Sequence, residues 1–230
     1  MIRYLIEKGK IPILAVDADA NANLNEALGF QIENDTVSEL IAMTKAPGGL
    51  PDGMTQDVFI NYKLNSALAE GKEVDLLVMG GPEGPGCFCF PNNILRTYLD
   101  SLTKGYKYVV MDNEAGLEHI SRKTTRDIDM MFVVSDCSAR SVRSAGRIRK
   151  LIDQIDTKVK KIYLILNKAT PEEAQILKDE IEKTGIPLIG LIAEDPMVAE
   201  FDVRGKALFD LPADSPAVLG LFKIMDEVKV

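Results

Sequence analysis

IPILAVDADANANL, residues 11–24, is a run of six apolar residues that gives way abruptly to carboxylates and amides. A run without polar alternation reads as a strand buried on both faces, the form strands take in a parallel sheet. Five more runs share it: VDLLVMG (74–80), YKYVVMD (106–112), MMFVVS (130–135), KIYLILN (161–167) and IPLIGLI (186–192). Helical spacing predicts helices over 92–104, 118–126, 138–154, 171–184 and 215–228, between and after these runs. Strands alternating with helices give an α/β fold, a mostly parallel sheet with helices on both faces, expected as one domain over 1–230. Residues 44–58, with PGGLPDG, read as a loop. MIRYLIEKGK (1–10) reads as the end of a helix with a glycine cap, leading straight into the first run.

The 230 residues carry 35 acidic and 27 basic side chains, so a general nucleic-acid surface is not expected. No stretch has the length and apolarity of a membrane span, so no membrane partner is expected. Three cysteines and no secretory signal make the reducing cytoplasm the expected compartment. One predicted helix is basic, with Arg140, Arg143, Arg147 and Arg149; it is read as a solvated face or a docking surface.

Chemistry concentrates where the runs end. Asp17 and Asp19 follow the first run and Asp112 ends the third, the position from which open α/β sheets hold ligands. A carboxylate there can hold a metal-bound water, and Gly116 leaves a backbone N–H free to approach an oxyanion. Aspartates at strand ends equally serve as caps for the next helix.

GGPEGPGCFCF (80–90) places Cys87 and Cys89 one residue apart. In an extended segment both sulfurs project to one side, with Phe88 and Phe90 on the other. A disulfide between them would require strained ring closure. Two thiolates are also half of a closed soft-metal shell, so further ligands must come from elsewhere; Cys137 is one candidate. The alternative is that Cys87 and Cys89 are small core residues.

Taken in order and spacing, AVDADANANL, GGPEGPGCFCF, VVMDNEAGLEHISR and LILNK resemble the nickel-insertion ATPases that mature carbon monoxide dehydrogenase. These share a deviant P-loop nucleotide-binding fold with septum-site and partition ATPases and the nitrogenase iron protein. The resemblance covers essentially the whole chain. It implies that Asp17, Asp19, Asn21 and Asn23 form a first switch loop facing the γ-phosphate and magnesium, and that Asp112 is the Walker B carboxylate. Gly116, Glu118 and His119 would form the second switch. Asn167 and Lys168 would recognise adenine, and AEDP (193–196) would be the loop that closes over the base, with Asp195 the expected contact there. Cys87 and Cys89 of two chains would together bind nickel or zinc in a homodimer that delivers metal to apo carbon monoxide dehydrogenase.

One departure stands out. No G-x-x-x-x-G-K-[ST] occurs in this sequence. The expectation is therefore an N-terminally shortened relative, without the first strand and P-loop, binding ATP poorly and hydrolysing almost none, because loop amides and lysine charge supply most of the triphosphate's stabilisation. Two alternatives remain. An iron–sulfur electron carrier would need a cysteine shortly after Asp112, where NEAGLEHISRKTT has none. A non-enzymatic partition-type module would not carry the C-x-C.

Overall fold

A computed structural model describes residues 1–230 except 20, 33–35, 46–52, 81–97, 114–126, 155–157 and 230. The chain divides into two compact units, Ile2–Thr124 and Thr125–Val230.

In the first unit, helix α1 (Ile2–Glu7) buries Ile2, Tyr4 and Leu5 and closes at Gly9, whose φ of 66° lies in the left-handed region that glycine adopts without strain. Strand β1 (Ile13–Ala18) is buried along its whole length. It lies between β3 (Val74–Val78) and β4 (Tyr108–Asn113), parallel to both, while the two-residue β2 (Leu68–Ala69) pairs antiparallel with β3. Central placement explains the unbroken apolar run, since each face of β1 meets protein. On one face Leu14, Val16 and Ala18 pack with Val37, Leu40, Ile60 and Leu64 from helices α3 (Val37–Lys45) and α4 (Gln56–Ser66). Truncating a side chain such as Leu14 to alanine would cost about 2–5 kcal/mol.

β1 stops because its sequence offers the backbone a better partner than the ladder. Asp17 Oδ1 accepts from the Asp19 N–H at 3.0 Å and Asp19 Oδ1 accepts from the Asn21 N–H at 2.8 Å, two successive turns made by side chains. The short helix α2 (Leu24–Leu28) follows and ends at Gly29, φ 77°.

The second unit holds a parallel sheet ordered β5 (Asp127–Asp136), β6 (Lys158–Asn167), β7 (Leu188–Ile192). Helix α5 (Ala139–Ile152) starts at Ser138, whose hydroxyl accepts from the Ser141 N–H, and buries Val142, Ala145 and Ile152. Helices α6 (Pro171–Ile176) and α7 (Lys178–Thr184) occupy the predicted 171–184 helix, separated by a turn at Leu177. Helix α8 (Pro196–Val203) precedes α9 (Pro216–Val228). α9 lies so close to β7 that a Cβ at Gly190 would come within 2.5 Å of Ile224 Cγ1.

The expectation of strands buried on both faces holds for β1 and β3 and not for the others. β4 and β5 are edge strands of the described sheets, and Val109 and Val134 stand 41% and 60% exposed. The first halves of β5 and β6 are polar outside, with Lys160 Nζ 2.7 Å from Asp129 Oδ1. Of the predicted 92–104 helix, the described part is helical at 98–102 and continues as a 3-10 turn, Thr103–Gly105; 118–126 lies outside the described residues. The predicted 44–58 loop is shorter than expected, because α3 runs to Lys45 and α4 begins at Gln56. No described helix is long and apolar enough to cross a membrane.

Candidate functional site

In the first unit the predicted carboxylates come together at the carboxyl ends of the central strands. Asp17 and Asp112 are direct neighbours in the β1–β4 register. In a parallel pair such neighbours share a face. Asp17 is fully buried, its Oδ1 on the Asp19 N–H and its Oδ2 2.9 Å from the Leu24 N–H at the start of α2. Burial of a carboxylate is tolerable only with such donors. Asp19 accepts from Asn21 twice, from the backbone N–H and from Nδ2 at 3.0 Å. Asn23 precedes α2 without a capping hydrogen bond from its side chain.

Asp112 differs from both. Its side chain is solvent-accessible at one side, and partial burial together with the charges of Asp17 and Asp19 holds its carboxyl above the ordinary carboxylate range. The three acids thus form one patch of negative charge, met among the described residues by N–H donors and by no cation. A cation, or a phosphate-bound cation, relieves it.

Asn113, which sequence reasoning passed over, follows Asp112 and projects to the opposite face of β4. Its Oδ1 is the one buried side-chain oxygen or nitrogen atom among the described residues without a hydrogen-bond partner. Thr36, also passed over, forms a capping box with Glu39: the Thr36 N–H donates to Glu39 Oε2 at 2.6 Å and the Glu39 N–H to Thr36 Oγ1 at 3.3 Å. TVSE (36–39) carries that signature in the sequence.

In the second unit Asn167 ends β6, in register with Asp136 of β5 and Ile192 of β7. Its Oδ1 accepts from the Lys168 N–H at 3.1 Å, and Lys168 takes φ 53°, a left-handed conformation uncommon for a residue with a Cβ. The turn exposes the Lys168 side chain.

Asp195, expected to contact the base, has a structural setting of its own. It is buried, caps α8 by accepting from the Met197 N–H at 2.9 Å, and with Oδ2 accepts from the Ser215 hydroxyl in a short bond and from the Ala217 N–H at 3.3 Å. The Ser215 hydroxyl first, then the backbone N–H groups, hold its carboxyl below the ordinary range. One carboxylate thus ties together the starts of two helices, and no local pattern pairs Ser215 with it. Asp136 is lowered likewise, by hydrogen bonds from Ser141 and Ser138 at the start of α5.

Cys137 is half-buried, and burial, followed by the charges of Glu173 and Asp136, pushes its thiol up, away from the thiolate form that binds metal. Cys87, Cys89, Gly116, Glu118 and His119 lie outside the described residues. Among the described residues no group of three or more His, Cys, Asp or Glu side chains is arranged to hold a metal ion.

Comparison with known proteins gives this geometry a context. The family model described as the CobQ/CobB/MinD/ParA nucleotide binding domain matches residues 1–209. An uncharacterized ATP-binding protein of Methanocaldococcus jannaschii is 39% identical over 218 residues, 94% of this chain and 86% of that protein. The carbon monoxide dehydrogenase accessory protein CooC of Rhodospirillum rubrum is 31% identical over 219 residues, 89% of this chain and 80% of that protein. Among solved structures, the MinD cell division protein of Aquifex aeolicus superposes with a TM-score of 0.67 at 21% identity, covering 99% of this chain and 88% of that one. MinD from Pyrococcus horikoshii, complexed with Mg-ADP, does so with a TM-score of 0.66 at 19% identity, covering 99% and 87%.

Proposed function

The chain belongs to the CobQ/CobB/MinD/ParA nucleotide-binding family, and from that premise we propose that it is a nucleotide-linked metallochaperone that supplies nickel to carbon monoxide dehydrogenase. The observation that carries the reading is the 31% identity to the accessory protein CooC over 89% of this chain, in a sequence that also holds the C-x-C of Cys87 and Cys89. Four sulfurs from two chains would complete a soft-metal shell that nickel or zinc can fill.

Hard oxygen donors at Asp17, Asp19 and Asp112 fit magnesium, which takes one or two carboxylates and keeps its remaining places for water and phosphate; a closed cage of three protein ligands is not required. Asp112 would hold a magnesium-bound water, and Asp17, anchored by two backbone N–H groups, would supply fixed negative charge beside it. Bound magnesium would neutralise the β- and γ-phosphate charge. Asn167 and Lys168 would face the base, with Asp195, in the loop that would close over it, as a further contact. Because the 230-residue sequence has no glycine–lysine phosphate loop, nucleotide affinity of this chain is proposed to be weak.

The test is metal uptake by the anaerobic, reduced protein, titrated separately with Ni²⁺ and Zn²⁺ and read by metal analysis and light scattering. About one ion per two chains, with a shift from monomer to dimer, is expected. C87S/C89S should lose both. Equal uptake by that variant overturns the reading, and a brown cluster spectrum in place of the divalent ion replaces it with an electron carrier.

A further inference from the structure

We infer that the exposed face of α5 is a docking surface for an acidic segment of another protein. The inference stands independently of the nucleotide and metal reading. Its sequence, ARSVRSAGRIRKLI, holds five cations and no acid, in a chain whose net charge is −8. At 100° per residue Arg140, Arg143, Arg147 and Lys150 fall on one stripe of roughly 15 Å, opposite the buried Val142, Ala145 and Ile152. All four stripe residues are exposed.

The stripe works against its own helix. Arg140 stands in the first turn, where the dipole disfavours a cation; Ser138 caps that end, and the one acid there, Asp136, accepts from the Ser138 N–H at 3.1 Å. Arg140 with Arg143, Arg143 with Arg147, and Arg147 with Lys150 are like charges at spacings of three or four, each mutually repulsive. Neighbouring elements relieve little of this. Arg143 Nη1 reaches Glu180 Oε2 at 3.5 Å, and Arg147 Nη2 donates to the Ser144 hydroxyl at 2.6 Å. Among the described residues Arg140, Arg147 and Lys150 have no carboxylate partner. Lys178, Lys183 and Arg204 of this unit each face an acid three or four residues away, as Arg149, off the stripe, faces Asp153. A helix kept at this electrostatic disadvantage has an external partner to match it.

Charge complementarity selects the occupant. The stripe is as long as a helix of three turns carrying Glu or Asp along one face. A nucleic acid would bring its extended phosphate charge against a chain of net charge −8, and α5 offers no aromatic ring to a base. An anionic membrane would need an apolar face beside the cations, and the apolar face of α5 is spent on the core of its own unit.

The experiment uses the full chain and a fluorescein-labelled 20-residue polyglutamate peptide, read by anisotropy at low ionic strength. Binding that weakens with added salt is expected, and R140E/R147E/K150E should reduce affinity by at least about tenfold. The uncharged R140Q/R147Q/K150Q should also weaken it and serves as the readout if the reversed variant does not fold. K178E/K183E/R204E changes net charge by the same amount as the stripe reversal and should stay within about threefold of the parent. Equal losses in the stripe and control variants overturn the inference, as does the absence of peptide binding. So does tighter binding of a 20-base-pair duplex or of phosphatidylserine vesicles than of the peptide, or self-association of the parent chain that the stripe variants abolish.

Discussion

Asp112 and Asp195 are both aspartates just beyond or at the end of a strand, one in each unit, yet their surroundings oppose one another. Asp195 has every strong donor it needs: a serine hydroxyl and two backbone N–H groups. Asp112 instead is partly buried and lies beside two like charges, and its proton affinity rises. The first carboxylate is finished by folding. The second is left, among the described residues, beside two further carboxylates and no cation. Position in an α/β sheet does not separate a cap from a ligand-holding group; the sign of the electrostatic imbalance does.

The largest effect that could break this contrast is at Asp195. D195A leaves the Ser215 hydroxyl and two N–H groups unsatisfied at the starts of α8 and α9, so the melting temperature should fall by roughly 3–8 °C. The stabilisation rests on a carboxyl held below its ordinary range. It is therefore fully present above the ordinary carboxylate pKa and lost as pH falls through the depressed value, so parent and D195N should converge in acid. If D195A melts like the parent but loses nucleotide binding, Asp195 belongs with the ligand-holding residues after all.

At Asp112 the sign reverses. A carboxyl raised on folding destabilises the chain at every pH above the raised value, and this penalty vanishes below the ordinary carboxylate range. In magnesium-free buffer D112N should melt slightly higher than the parent at neutral pH, with the advantage gone near pH 3. Magnesium should raise the melting temperature of the parent more than that of D112N. A D112N variant as damaged as D195A would make Asp112 structural and erase the contrast.

Lys168 sharpens the comparison with the smallest expected change. Glycine accepts its φ of 53° without steric cost but adds freedom to the unfolded chain, so K168G should alter stability by less than about 1 kcal/mol in urea unfolding. A larger loss would mean that the side chain, and not only the turn, is built into the unit.

Much of the fold was readable in the sequence because short unbroken apolar runs mark strands even where, as in β4 to β7, burial on both faces is incomplete. All six apolar runs are strands, and the helix ends at Gly9, Ser138 and Ser215 follow local chemistry. What escaped did so for physical reasons. α4 is apolar on both sides, Phe59, Ile60 and Leu64 facing in and Val58 and Tyr62 facing out, so it shows no helical stripe. α2 and α8 are too short for periodicity to register. At the site, the proximity of Asp17 to Asp112 was legible as two strand ends, but the register that makes them neighbours spans 95 residues. The Asp195–Ser215 bond, made across 20 residues, could not be read from either residue alone.

The place of β1 has a consequence for synthesis. Its partners begin at Val74 and Tyr108, so the most completely buried strand of the first unit leaves the ribosome well before either neighbour exists. At about 5–20 residues per second the wait for β4 lasts roughly 5–20 s, during which IPILAV is available to any chaperone that grips extended apolar chain.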